Sequence, residues 1–323
     1  MEISKGIHRI EAPLGDRYVA LYLLVGDRSC LLIDTGLADS IPFTVMPYLR
    51  GLGLAPSQID YVLTTHSDFD HMGGNGAARE SFPSALFLSH VLDRELIDSV
   101  DLLIDHRYGE FISEHGYDDV DEDSKAYIRE QSHSTVTDLS VVGGEFLNLS
   151  LDWEVELVHT PGHSLGSTSV WDPRSHTMFI GDAVLGDGLL TNDGRPAFPP
   201  TYRYVDDYHK TIRQLLKRHI QTLATSHYPL YRGHEIDDFL NVSMAYTRRV
   251  EEVIVRSLRS ASAEGATAME IIAAHHAELG PWPRATAEAL MYAVVGHLEL
   301  MEHEHRAQVS PATGYLRWAL CDD

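Results

Sequence analysis

Residues 59–74 of this 323-residue chain, IDYVLTTHSDFDHMGG, carry the clearest indication of its architecture. The first part, Ile59–Thr64, has the apolar, β-branched composition of a strand. Four side chains that can bind a metal follow within six residues: His66, Asp68, Asp70 and His71. Because imidazole and carboxylate groups rarely gather so densely by chance, the stretch predicts a metal site at the end of a strand.

Three further strand-like runs end in the same kind of side chain. The runs are Trp153–Val158, Thr177–Gly181 and Thr222–Ser226, and they lead to His163, Asp182 and His227. In α/β architectures ligands gather beyond the ends of strands, so four loops can meet although they span more than half of the chain. Together the loops supply four histidines and three aspartates, which are enough donors for two metal ions.

In this order the motifs resemble the signature of the metallo-β-lactamase superfamily. That signature is a strand, His-x-His-x-Asp-His with Gly-Gly, then Pro-Gly-His, Gly-Asp and a final His. The matching elements here are Thr65–Gly74, Pro161–His163, Gly181-Asp182 and His227, and the resemblance covers about residues 1–235. It implies an α/β fold, the αββα sandwich, with the metals at its edge.

The resemblance also implies a role for each ligand. One ion would be held by His66, Asp68 and His163, and the other by Asp70, His71 and His227, with Asp182 bridging both. Asp34, in the early turn Ile33–Gly36, would support the ligands from behind. We expect two divalent metal ions as cofactors, with zinc as the first choice.

One position departs from the family pattern. Asp68 stands where the family has its second histidine, so an oxygen ligand replaces a nitrogen and the site becomes one unit less positive. This change favours iron or manganese relative to zinc, and diiron flavoproteins of the superfamily also carry a carboxylate at this place. The short side chain leaves open whether Asp68 reaches the metal.

The resemblance implies a metal-dependent hydrolase of the glyoxalase II-like or β-lactamase-like kind. Two ions would share a hydroxide that is nucleophilic near neutral pH, and Asp70, the candidate catalytic residue, would orient it. We expect a small ester-like substrate, a lactone or a thioester. Two alternatives stay open: a diiron redox protein, which Asp68 suggests, and a phosphodiesterase or nuclease of the same superfamily.

Other residues near the ligands are candidates to line a substrate pocket. Tyrosine hydroxyl groups could stabilise an oxyanion there. The candidates are Tyr202, Tyr204, Tyr228, Arg232 and His234. Four histidines of the middle of the chain are instead expected on the surface: His90, His106, His115 and His133.

Two additions to the sandwich are expected. Residues 90 to about 131 have helical spacing and would form an insertion that covers the site. Residues 1–250 would form the catalytic domain and residues 251–323 a small winged-helix-like domain. The latter would contain a helix that begins at the capping box Thr267–Glu270 and a further helix over Pro283–Glu302. A terminal hairpin that turns at Pro311–Gly314 would follow.

The charge of the chain limits its partners. It has 25 Lys and Arg against 48 Asp and Glu, a net charge of −23. Residues 251–323 hold 5 Arg against 11 acidic residues. This acidity disfavours nucleic acid, because affinity for phosphates depends on Lys and Arg, so we expect the terminal module to pack, close the pocket or form a homodimer.

The apolar and cysteine content narrows the cellular setting. The longest apolar run, Tyr18–Val25, has eight residues and is too short to cross a bilayer. The first residues lack the apolar core of a secretion signal, and two cysteines make no disulfide framework. We therefore expect a cytoplasmic enzyme with a small-molecule substrate and no membrane partner.

Overall fold

The computed structural model describes residues 1–262, 264–310 and 314–321, and its first sheet has seven strands in chain order. The strands are β1 (Glu2–Ser4), β2 (Ile7–Leu14), β3 (Arg17–Val25), β4 (Cys30–Ile33), β5 (Ile59–Leu63), β6 (Leu86–His90) and β7 (Leu139–Val141). Neighbours are antiparallel from β1 to β4 and parallel from β4 to β7. Strands β3 and β4 form an antiparallel hairpin.

The second sheet faces the first and has six strands. They are β8 (Phe146–Ser150), β9 (Trp153–His159), β10 (Thr168–Asp172), β11 (Thr177–Gly181), β14 (Thr222–Thr225) and β15 (Tyr231–Arg232). Their order is β15-β14-β11-β10-β9-β8, and β11 and β14 run parallel. A separate small ribbon pairs β12 (Leu189–Leu190) with β13 (Pro196–Phe198).

The two sheets bury one apolar layer between them. Tyr22 and Leu24 of the first sheet and Val155 and Phe179 of the second belong to it. The Tyr22 and Phe179 rings meet edge to face, with centroids 5.0 Å apart. Strands such as β4 read as continuous apolar runs because both of their faces are covered.

Helices cover the outer face of each sheet. The π-helical turn Ile41–Val45, α1 (Met46–Leu52) and α3 (Asn75–Ser81) lie on the first sheet, and α2 (Phe69–Met72) and a 3₁₀ turn (Pro56–Gln58) join its strands. The second sheet is covered by α8 (Val205–Lys217) and α9 (His234–Ser260). This order of layers, helix, sheet, sheet, helix, confirms the predicted αββα sandwich.

Residues between β6 and β7 are largely helical. They form α4 (Arg94–Asp98), α5 (Val100–Leu102), the π-helical turn Leu103–Tyr108, α6 (Ile112–His115) and α7 (Glu122–Gln131). We call residues 90–131 the insertion. The prediction of surface histidines is wrong for His90 and His115, which are buried. His90 stacks on His159 with ring centroids 4.2 Å apart, and His115 packs edge-on against Phe111.

The C-terminal part consists of helices and a hairpin. After α9 come α10 (Ala268–Leu279), α11 (Arg284–Ala287), α12 (Leu290–His303), β16 (Ala307–Ser310) and β17 (Arg317–Leu320). The capping box at Thr267 and Glu270 is confirmed. The predicted turn residues Pro311, Ala312 and Thr313 lie outside the described residues.

The C-terminal part differs from the sequence prediction in the continuity of one helix and in the position of helix α9 relative to residue 250. The helix expected over Pro283–Glu302 is not continuous, because the amides of Ala289, Met291 and Tyr292 bond to carbonyls three residues earlier, and the chain tightens between α11 and α12. The expected domain boundary at residue 250 falls inside the continuous helix α9. The winged-helix interpretation stays a prediction.

Helix length and polarity bear on the membrane question. Across residues 1–262, 264–310 and 314–321, none of the helices combines the length and the apolar character that a membrane crossing requires.

Candidate metal centre

The seven predicted ligands all lie at the ends of strands, at one edge of the sandwich. The segment after β5, which includes α2, carries His66, Asp68, Asp70 and His71, and the loop after β9 carries His163. Asp182 directly follows β11, and His227 follows β14. The structure brings all seven together, as the strand-end argument expects.

His66, Asp68 and His163 form one group whose ligand atoms lie within 4.8 Å of one another. Asp68 is its centre: Oδ2 lies 2.8 Å from Nε2 of His163 and 3.6 Å from Nε2 of His66. Both imidazoles are buried, with side chains 1% exposed. The short aspartate side chain therefore reaches the position between the two histidines.

Asp70, His71 and His227 form a second group of the same dimensions. Nε2 of His227 lies 3.3 Å from Oδ2 of Asp70 and 3.3 Å from Nε2 of His71. Oδ2 of Asp182 lies 3.3 Å from His227 and 3.7 Å from His71, and Asp182 also groups with His66. Asp182 thus stands between the two groups.

Each histidine of the two groups is anchored through its other ring nitrogen. Nδ1 of His71 lies 2.9 Å from Oδ2 of Asp34, and that carboxylate also accepts hydrogen bonds from the Thr65 amide and hydroxyl. Such a partner fixes the ring orientation and the tautomer of a ligand. The other rings are held at Nδ1 by Thr65 Oγ1 for His66, Thr201 O for His163 and Tyr18 O for His227.

Glycines allow the ligand loops to approach other backbone closely. Gly162, which precedes His163, has φ of +142°, and a Cβ there would lie 2.5 Å from Cα of Tyr208. A Cβ on Gly74 would lie 2.4 Å from the carbonyl oxygen of Thr35. The Pro-Gly-His and Gly-Gly motifs are therefore packing requirements of the centre as much as chemical ones.

Opposite charges shift the pKa values of the cluster. Burial favours the neutral form of Asp182, but His227 and His71 hold its pKa well below the usual range. Burial likewise opposes the charged form of His71, but Asp182, Asp70 and Asp34 raise its pKa well above the usual range. His66 differs, because burial and the neighbouring His71 lower its pKa.

The geometry and chemistry of these side chains fit a metal centre. Nε2 of His66 is buried and has no hydrogen-bond partner among the described residues. An unpaired buried polar atom is costly, and folded proteins rarely leave one without a ligand or water. Two groups of histidines and carboxylates that converge on shared points match what divalent ions take.

A cavity of about 280 Å³ opens over the second group. Asp68, Asp70, Asp182 and His227 are among its lining residues. The remaining wall is mostly apolar or aromatic and includes Phe69, Tyr127, Ile128, Leu189 and Phe198. Residues of the insertion, Arg107 to Ile128, thus contribute to the wall over the ligands.

The predicted pocket residues lie outside the lining of this cavity. Tyr202 is fully buried, with its hydroxyl 3.0 Å from Nε2 of His297, and the Tyr228 hydroxyl donates to the Leu185 carbonyl. Tyr204 lies beside a smaller cavity with Arg107 and His163. Arg232 and His234 are exposed, on β15 and at the start of α9.

The sequence reasoning missed Arg107, Tyr108 and Tyr292, which do line the cavity. Arg107 lies beside Asp68, with Nε 3.4 Å from Oδ1. Only its place in the insertion could have pointed to it, because an arginine within a helical segment has no motif of its own.

Known proteins share this fold. A metallo-beta-lactamase family protein from Thermus thermophilus superposes over 99% of this chain and 100% of its own, with a TM-score of 0.74 and 19% identity. A beta-lactamase domain protein from Burkholderia ambifaria gives the same TM-score with 14% identity, over 99% and 93% of the two chains.

Curated relatives resemble the chain over part of its length. A probable metallo-hydrolase, YqgX, from Bacillus subtilis (strain 168) is 24% identical over 56% of this chain and 73% of its own. A hydroxyacylglutathione hydrolase from Rhodospirillum rubrum is 24% identical over 56% of this chain and 53% of its own. The chain thus spans about half to three quarters of these relatives.

The sequence profile described as "Metallo-beta-lactamase superfamily" matches residues 14–227, about two thirds of the chain. The match includes every residue of the two ligand groups. By this match and by its fold, the chain belongs to the metallo-beta-lactamase superfamily.

Proposed function

We propose that this metal-dependent hydrolase cleaves a small ester-like substrate, a lactone or a thioester, in the cavity over its two ligand groups. The observation that carries the proposal is the arrangement of that cavity. Three aspartates and one histidine of the ligand groups line it, and most of its other lining residues are apolar or aromatic. A relative named hydroxyacylglutathione hydrolase supports the substrate class.

The proposal assigns two divalent ions, zinc in the first place, to the cluster. His66, Asp68 and His163 would hold one ion, Asp70, His71 and His227 the other, and Asp182 would bridge them. Bound ions of this kind lower the pKa of water to near neutrality and polarise the oxygen of a scissile carbonyl. The remaining chemistry belongs to the side chains of the chain itself.

Asp70 is the side chain best placed to handle a proton. It lines the cavity, and its Oδ2 lies 3.3 Å from Nε2 of His227. A carboxylate in that position can accept a hydrogen bond from the attacking water and orient it toward the carbonyl carbon. His227 is itself fixed by the carbonyl of Tyr18, so the pair is rigid before the substrate arrives.

The apolar and aromatic residues of the lining would contact the part of the substrate that does not react. Phe69, Tyr127 and Phe198 present aromatic surface, and the Arg17 guanidinium lies over the Phe198 ring at 5.0 Å. Such a wall stabilises an acyl chain or a lactone ring through apolar burial and excludes water from the reacting bond. A cavity of about 280 Å³ suits a small molecule.

The test is a substrate panel with zinc-loaded protein. We expect turnover of lactones or thioesters, loss of activity on chelation and recovery when zinc is returned. Asp70→Asn should lower kcat by about 10²-fold or more, which corresponds to the usual contribution of a positioned acid–base group. Tyr228→Phe is the matched control, because Tyr228 lies outside the cavity lining and should keep its activity.

Two results would overturn this assignment. Turnover of phosphodiesters without any ester or thioester hydrolysis would place the enzyme in the phosphodiesterase alternative. A redox-active iron pair in protein purified without added metal, with no hydrolysis after zinc loading, would favour the diiron alternative.

A further inference from the structure

The two carboxylate oxygens of Asp68 face different partners. Oδ2 lies among the ligands, 2.8 Å from Nε2 of His163. Oδ1 faces the insertion, where it lies 3.4 Å from Nε of Arg107 and accepts a hydrogen bond of 3.5 Å from the Tyr108 hydroxyl. One oxygen is therefore presented to the metal centre, and the other is held from behind.

Arg107 is fixed in place by its surroundings. Its side chain is 8% exposed, and its guanidinium lies over the Tyr292 ring at 4.3 Å. The Tyr292 hydroxyl donates to Asp119 at 2.8 Å, and the backbone carbonyl oxygen of Arg107 lies 3.2 Å from the same hydroxyl oxygen. A buried cation held by an aromatic face beside a single close carboxylate is costly to separate from that carboxylate.

We propose that Arg107 is the positioning partner of Asp68, and that the pair together replaces the neutral imidazole of the usual family pattern at this position. The proposal rests on the proposed function, in which Asp68 is a metal ligand. Each histidine ligand has an anchor on its far side, as His71 has Asp34. Arg107 and Tyr108 are the corresponding anchors of the one ligand in its group that is not a histidine.

The charge of Arg107 also supports its pairing with Asp68. Replacing histidine by aspartate makes the site one unit less positive, and the Arg107 guanidinium beside that aspartate returns one positive charge. Because the side chains are only 8% and 16% exposed, this compensation is screened less by solvent than that of a surface pair. We infer that the insertion supplies the positive charge that the Asp68 motif lacks.

A cycle of four proteins tests the pairing: wild type, R107M, D68H and D68H/R107M. The measured quantity is the zinc retained per chain against graded chelator, together with KM and kcat. In the wild-type background R107M should weaken retention of one zinc by roughly 10- to 100-fold, the usual effect of losing a ligand's anchor. In the D68H background the same change should alter retention by less than about threefold, because histidine needs no compensating cation.

Controls separate the pairing from general damage. Arg203 is a matched control, since it is also a largely buried arginine that connects the insertion to α12, through Glu110 and Glu299. R203M should retain zinc like the wild type. If R107M alone does not fold, D68H/R107M should fold, because it no longer buries an uncompensated charge, and R107K should retain zinc better than any arginine variant that lacks the charge.

Four outcomes would overturn the inference. R107M could weaken zinc retention equally in both backgrounds, or leave it unchanged while raising KM, which would make Arg107 a substrate-binding residue. R107K could fail to fold together with D68H/R107M, which would make Arg107 a packing residue. A D68A protein that holds zinc as tightly as the wild type would instead remove Asp68 from the ligands, and that failure is distinguishable because it needs no change at Arg107.

Discussion

Individual side chains in this centre depend on the groups behind them. Asp34 shows this best, because one carboxylate accepts hydrogen bonds from the Thr65 amide and hydroxyl and also lies against Nδ1 of His71. It adopts a positive φ of 60°, which aspartate tolerates better than most residues. A single side chain therefore sets both the path of the ligand loop and the orientation of a ligand ring.

Replacing Asp34 should weaken metal binding without touching a ligand. We expect Asp34→Ala to lower zinc affinity by roughly 10- to 100-fold, because His71 loses the partner that orients its ring. The zinc affinity of Asp34→Asn should lie between those of the wild type and Asp34→Ala, since the amide oxygen can still accept one of the three hydrogen bonds. Chelator competition measures the effect, and an alanine variant with unchanged zinc affinity would contradict the role of Asp34.

The seven candidate ligands could be found from the sequence, but their surroundings could not. The ligand types are chemically distinctive, and their spacing is local within His66–His71 and Pro161–His163. Arg107 and Tyr292 reach Asp68 only through the folding of the insertion and α12, which no local pattern reports. For the same reason His90 and His115 were expected on the surface, although tertiary packing buries them.

Among the secondary structure elements, the strands that carry ligands were the most predictable. Their apolar runs end where polar ligands begin, so β5 and β14 match their predicted ranges closely. Strand β2 was missed, because Glu11 and Pro13 interrupt its apolar pattern and its burial comes from pairing with β3. The tightening between α11 and α12 was missed because it is a local change of backbone hydrogen bonding, from four to three residues back, that apolar spacing does not report.

Helix α12 is joined to the loop before α8 by a buried histidine whose charge state can be tested. Burial lowers the pKa of His297 to about 3, with smaller effects from His209 and Arg306. Tyr202 lies 3.0 Å from its Nε2, and Glu251 lies 3.9 Å from its Nδ1. The folded state therefore keeps this imidazole neutral at pH values where the unfolded chain binds a proton.

Acid should destabilise the protein partly through His297. Its folded pKa lies below the unfolded value of about 6.5, so its contribution is complete above that pH and is lost as the pH falls toward 3. When the pH falls from 7 to 5, protonation of His297 in the unfolded chain lowers the free energy of unfolding by about 2 kcal/mol. In the His297→Gln variant, the free energy of unfolding should fall by about 2 kcal/mol less between pH 7 and pH 5. Urea unfolding at the two pH values measures this difference. An identical pH dependence in the two proteins would show that His297 does not titrate in this way.

At the scale of the whole molecule, one apolar cluster extends across the expected domain boundary. A single buried cluster joins Ile180 of the second sheet and Tyr208 of α8 to Ile271 of α10, Val295 of α12 and Trp318 of β17. The same C-terminal helices hold Arg107 through Tyr292, so they reach the metal centre as well. Elements that share a core unfold together unless their interface is small.

Thermal unfolding should therefore occur in one transition, and zinc should move it as a unit. At a free zinc concentration of about 100 times Kd, one site adds about 2.7 kcal/mol, which for a chain of this length raises Tm by about 4 °C. The measurement is a calorimetric scan with zinc and with chelator, and His163→Ala, which removes a ligand, should show a smaller shift. Two separate transitions, of which zinc moves only one, would mean that the C-terminal helices fold independently of the sandwich, and the shared core would then not couple them to the metal centre.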